Sequence, residues 1–192
     1  SCSDEAVEDG QITLDDYKYT DLILGKECQT KIGRGGVKPL EFKTFSKPMQ
    51  ECITAYCNQG GNIFISGAYV GTDLWDNRLI TAKEEDKKFA MEVLKYKWRA
   101  GQAAIMGKVK CVTSPFPSLT GNYTYYNELN SATEGAYTIM RYPENNLSAG
   151  VAYQGSYKTC VLGFPFESLR TTEEREYLMN AIMTFFDSNT KK

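Results

Sequence analysis

Apolar and polar positions along this chain follow two regimes. Up to Ala104, short apolar runs alternate with stretches of three-and-four spacing; from Ala104 onward, Tyr, Thr, Val and Ile recur in short segments punctuated by Gly, Asn and Pro. The first pattern predicts a parallel strand-and-helix arrangement, the second a succession of strands. Residues 1–18 are acidic and turn-rich. Leu22-Ile23-Leu24, stopped by Gly25, predicts a buried parallel strand over Thr20–Leu24. Ser46 is a good N-cap, Pro48 suits a first helical turn, and Met49, Cys52, Ile53, Tyr56 and Cys57 make one apolar stripe, so a helix runs from Ser46 to the Gly60-Gly61 pair. The apolar run Ile63-Phe64-Ile65 then predicts a buried strand, completing a strand, crossover helix and strand over residues 20–66.

Gly60 to Asp73 is the stretch around which the rest is arranged. Gly67 and Gly71 bracket a tight turn between the strand and a short helix expected over 73–77, with Tyr69 at its tip. This is the outline of a nucleophile elbow, in which small flanking residues let strand and helix approach while one side chain is exposed. Ser66, Gly67, Ala68 and Gly71 are candidate binding positions around that tip. The spacing of Phe89, Val93 and Tyr96, and of Ala90, Leu94 and Trp98, predicts a helix over 84–98. Strands are expected near 105–113, 123–127, 136–142, 149–154 and 158–163, and without intervening helices they must pair antiparallel. Thr171 and Glu174 form a capping box for a last helix, which presents Leu178, Ile182 and Phe185 with Met179, Met183 and Phe186.

Composition narrows the chemistry. At 192 residues with 42% apolar and 24% charged residues, the chain suits one globular domain. A net charge of -2 with scattered Lys and Arg gives no footprint for nucleic acid. There is no histidine, so neither a Cys-His or Ser-His catalytic pair nor an imidazole metal site can be built within this chain. The six cysteines, Cys2, Cys28, Cys52, Cys57, Cys111 and Cys160, show no CxxC spacing and read as buried free thiols. The sequence calls for no metal and no cofactor, and no apolar run is long enough to span a membrane. Lys31-Ile32-Gly33-Arg34-Gly35-Gly36-Val37-Lys38 is glycine-rich but lacks the Gly-Lys-Ser/Thr ending of a phosphate loop, so residues 26–45 are expected to be an ordinary loop able to lie across a pocket.

Gly67-Ala68-Tyr69-Val70-Gly71 and Leu162-Gly163-Phe164-Pro165-Phe166-Glu167 together resemble motifs of the class I glutamine amidotransferase-like superfamily. That resemblance implies an α/β, flavodoxin-like three-layer sandwich with a parallel core sheet, here extended by the antiparallel strands of the C-terminal half. It aligns Tyr69 with the family's cysteine and Glu167 with its glutamate, and puts Pro165 where the histidine stands. Nucleophile and base are both missing, so glutamine hydrolysis does not carry over. A narrower similarity, from about residue 5 to the last helix, is to secreted Bacteroidetes proteins labelled xanthan lyase, often with a golvesin-like domain. It implies one amidotransferase-like domain of an exported, extracytoplasmic protein, lacking a preceding strand-helix unit and partnered by polysaccharide or neighbouring domains.

Two expectations follow. One is a catalytically degenerate domain that binds carbohydrate or scaffolds its neighbours, with Tyr69 plugging the old pocket and Asp73 capping the next helix. The other is a lyase or hydrolase with Tyr69 as base, Arg34 or Arg78 neutralising a uronate carboxylate, and Asp73 and Glu167 in a polar or metal-binding role or as a carboxyl pair about 5 Å apart.

Overall fold

The computed structural model describes residues 1–32, 40–75, 82–101, 107–120 and 129–189. Helix α1 (Asp4–Glu8) and a 3₁₀ turn (Leu14–Asp16) lead into strand β1 (Tyr19–Gly25). A ladder of β2 (Thr30–Ile32) with β3 (Leu40–Phe42) follows, within the segment expected to be loop. Helix α2 (Lys47–Asn58) begins as its sequence requires: the Ser46 hydroxyl accepts from the Met49 N–H at 3.2 Å, and Pro48 occupies the first turn, where it removes no helical hydrogen bond. Then come β4 (Asn62–Gly67), α3 (Thr72–Trp75) and α4 (Glu84–Phe89). The chain continues through a π-helical turn (Ala90–Leu94) into β5 (Tyr96–Ala100), β6 (Lys108–Cys111), β7 (Leu119–Thr120) and β8 (Leu129–Ala132). It closes with β9 (Ala136–Arg141), β10 (Ser148–Gln154), β11 (Lys158–Leu162), a 3₁₀ turn (Phe166–Ser168) and α5 (Thr172–Asp187).

The parallel flavodoxin-like core is overturned by the sheet order, β1-β4-β11-β10-β9-β6-β7, with β8 paired to β10 and β5 to β8. Among the described residues only β1 with β4 and β4 with β11 run parallel; the other pairs are antiparallel. The cause is connection length. The segment between β1 and β4 includes α2 and can return the chain for a parallel pairing, whereas β9, β10 and β11 are joined by turns too short for a crossover. In the first of those turns the Tyr142 N–H donates to the Leu147 carbonyl at 2.9 Å and Asn146 adopts φ 62°.

The expected helix over 84–98 also stops early. Lys95 takes a left-handed φ of 69° and turns the chain into β5. Tyr96 is buried, Lys97 exposed, Trp98 half-buried and Arg99 exposed, a period-two pattern that coincided with helical spacing at Tyr96 and Trp98. The strand near 105–113 is β6 alone among the described residues, and the one expected over 123–127 lies outside them.

Alternation along β4 and β11 divides the core between the two faces of the sheet. Ile63, Ile65 and Val161 pack with Met49, Ile53, Tyr56 and Cys57 of α2. Phe64, Cys160 and Leu162 pack with Leu178, Ile182, Phe185 and Phe186 of α5. Fully burying a side chain such as Ile53 or Ile63 contributes about 2 kcal/mol. The Lys158 ammonium, at the start of β11, is buried and donates to the Phe185 and Phe186 carbonyls, both at 2.9 Å, and to the Ser188 carbonyl, closing the carboxyl end of α5. All six cysteines are free, but only Cys57 and Cys160 are buried; Cys2 and Cys28 are exposed.

Candidate functional site

The three parallel strands bring both strand-end motifs to one end of the sheet. Ser66 is level with Ile23 of β1 and with Leu162 of β11, so Gly25, the 67–71 turn and the 163–170 segment are neighbours. Gly67 is required there: a Cβ would stand 2.8 Å from the Leu24 Cβ and 3.2 Å from Val70 Cγ1. The Ala68 N–H donates to the Gly25 carbonyl at 2.8 Å, and the buried Tyr96 hydroxyl donates to the Val70 carbonyl. These bonds tie the turn to β1 and to β5.

The nominated residues fall into different surroundings. Tyr69 is half-buried at the tip, whereas Ser66, Gly67, Ala68 and Gly71 are buried beneath it. The Ser66 hydroxyl is enclosed and, among the described residues, has no hydrogen-bond partner. Asp73, 4% exposed, accepts from the Thr44 N–H at 3.3 Å and from the Thr44 hydroxyl. Burial pushes its carboxyl above the ordinary range, and the bonds from Thr44 and from the Gln29 main chain oppose that shift. Glu167 is exposed, and its Oε1 lies 3.1 Å from where a Cβ on Gly25 would stand. Asp73 and Glu167 thus have separate partners, Thr44 for one and the Gly25 end of β1 for the other. Arg34 and Arg78 lie outside the described residues.

Pro165 has a structural use at the position where the resemblance expects histidine. It starts the 3₁₀ turn that projects Glu167, its carbonyl accepting from the Ser168 N–H at 3.1 Å and the Ser168 hydroxyl at 2.6 Å. Arg175 holds the turn from α5, donating to the Leu169 carbonyl at 2.7 Å. Between this turn and the end of β1 lies a cleft of about 540 Å³, lined by Gly25, Lys26, Pro165, Glu167, Ser168 and Arg170 among others. It offers two cationic side chains, one carboxylate and one hydroxyl. Those groups suit a polar ligand with an anionic substituent held by ion pairs and hydrogen bonds.

Several residues of this region were not singled out in the sequence. Lys26 and Arg170 sit on the segments after β1 and β11, and the spacing of Arg170 three residues past Glu167 was the only available signal. Asp21 lies within β1, and Glu27 follows just beyond its Gly25 end. Burial and then the Glu167 charge push Asp21 up to about 6, and burial followed by Asp4, Asp73, Glu5 and Glu8 pushes Glu27 up to about 7. Among the described residues no group of three or more Cys, Asp or Glu comes together as a metal site, and no helix is long and apolar enough to cross a membrane.

No protein-family model matches this chain, and no curated protein matches it. Among solved structures it is similar to one described as the mmIFT52 N-terminal domain, with a TM-score of 0.57 and 14% identity over 100% of this chain and 85% of that one. The likeness is one of fold alone. That fold is the mixed, mainly antiparallel sheet described above and not a parallel flavodoxin-like sandwich.

Proposed function

We propose that this chain is a non-catalytic, amidotransferase-like binding domain of an exported bacterial protein, which holds uronate-containing carbohydrate in the cleft between β1 and the 165–170 turn and links it to neighbouring domains. The observation that carries this reading is the contrast in surroundings of the two carboxyl groups. Asp73 is buried and held by Thr44, while Glu167 stands on the open cleft beside Lys26, Ser168 and Arg170. Acid-base or nucleophilic work needs two such groups converging on one reacting atom. Binding needs only that cations meet the uronate carboxylate and that Glu167 and Ser168 meet sugar hydroxyls. The two strand-end motifs, brought together by β1, β4 and β11, support descent from amidotransferase-like proteins whose nucleophile and base have been replaced.

Titration calorimetry with an oligogalacturonate tests the proposal. Wild-type protein is expected to bind the oligosaccharide and to leave it intact, and Arg170→Ala to weaken binding about tenfold by removing a charged partner at the cleft rim. Absence of binding would overturn the carbohydrate assignment. Cleavage that is lost in Tyr69→Phe would overturn the non-catalytic one.

A further inference from the structure

The edge of the sheet formed by β1 carries features that the cleft does not explain. Strand β1 pairs with β4 on one side and, among the described residues, with no strand on the other. Its sequence, Tyr-Thr-Asp-Leu-Ile-Leu-Gly, contains neither the proline nor the lysine with which edge strands commonly block further pairing. Ile23 is 56% exposed. A groove of about 490 Å³ runs along this edge, its lining including the apolar Ile12, Leu14 and Ile23 and the acids Asp4, Asp21 and Glu27.

We propose that the open edge of β1 takes an extended, basic segment of a partner protein as an additional strand, with the segment's cationic side chains set against Asp4, Asp21 and Glu27. Strand addition supplies main-chain hydrogen bonds, and alternate side chains of the incoming strand meet the groove. The charges decide the partner's chemistry. Among the described residues neither Asp21 nor Glu27 has an ion-pair partner, and Lys18, at the other end of β1, is engaged with Asp187 at 2.9 Å. Burial first, then the charge of Glu167 for Asp21 and of Asp4 for Glu27, raises both carboxyls, and a cationic strand laid along the edge offsets that cost. A second copy of this chain fits less well. It would bring the same acids, Asp4, Asp21 and Glu27, to the edge and add negative charge where a cationic strand neutralises it.

The probe is a fluorescein-labelled heptapeptide alternating Lys or Arg with Val, measured by fluorescence anisotropy at low and high salt. Wild type is expected to bind it in a salt-sensitive manner, with about tenfold weaker binding to Asp21→Lys and to Glu27→Lys. N-methylating the peptide amides that face β1 should abolish binding, and Arg170→Ala should leave it unchanged, which separates this surface from the carbohydrate cleft. The proposal is overturned if a Glu-for-Lys/Arg peptide binds equally, if the N-methylated peptide still binds, or if both charge-reversal variants fold and bind as wild type. It is likewise overturned by a dimer, seen in sedimentation, that the peptide does not compete away.

Discussion

Replacing Lys158 by Met tests how the strand behind the cleft is anchored. The substitution keeps the length of the side chain but removes the ammonium that donates to the carbonyls of Phe185, Phe186 and Ser188. Burial pushes this lysine's pKa below its ordinary value, against the pull of Asp187, so the folded protein meets a desolvation cost that methionine would not. The Phe185 carbonyl keeps the Ser188 hydroxyl at 2.6 Å, so the Phe186 and Ser188 carbonyls are the two that lose their donor, each worth about 1 kcal/mol or more when buried and unpaired. The balance favours a net loss of about 2 kcal/mol. With a urea dependence of about 2 kcal/mol per molar, the unfolding midpoint followed by circular dichroism should fall by about 1 M. The melting temperature should fall by roughly 4–8 °C for a chain of this size. A midpoint within about 0.3 M of wild type, with unchanged slope, would refute the argument and mean that solvent or neighbouring donors replace the lysine at no cost.

Glu27→Gln tests the acidic end of β1. A carboxyl whose folded-state pKa is raised from 4.5 to about 7 contributes stability that is fully present below its unfolded pKa and lost as pH rises through the folded one. The variant should therefore match wild type near pH 4 and exceed it by roughly 1 kcal/mol at pH 8, a figure discounted for the exposure of the side chain. Urea titrations across that range measure the gap, and a variant less stable at pH 8 would contradict the assignment. Tyr96→Phe removes the hydroxyl that donates to the Val70 carbonyl and should cost about 1–2 kcal/mol in chemical unfolding. No loss would show that the 68–71 turn is held without it.

The helices α2 and α5 and the strand β4 were legible in the sequence because each carries a stripe or run with a single reading, and α2 and α5 also carry a capping residue at Ser46 or Thr171. Strand β5 was not, since Tyr96 and Trp98 satisfy helical and strand spacing together and only the left-handed Lys95 decides between them. The pattern of β1 reads as buried, yet the strand lies at the sheet edge with Ile23 exposed; which strand becomes the edge depends on pairings far along the chain. A parallel core was expected from residues 20–66 and from the resemblance, but the turn lengths after β9 fix antiparallel pairing for the remainder. The shape of the elbow followed from Gly67 and Gly71. Its chemistry did not, because Asp73 is governed by Thr44, 29 residues away, and the cleft is built from Lys26 and Arg170 on irregular segments that carry no periodicity.

Binding of an acidic sugar without cleavage is the property proposed for this domain. Its most direct test is titration of an oligogalacturonate into the wild-type protein, followed by mass spectrometry of the recovered sugar. Saturable binding is expected, weakened about tenfold by Arg170→Ala, with the oligosaccharide recovered at full length. Recovery of shortened or unsaturated fragments, or binding that is indifferent to Arg170, would contradict it.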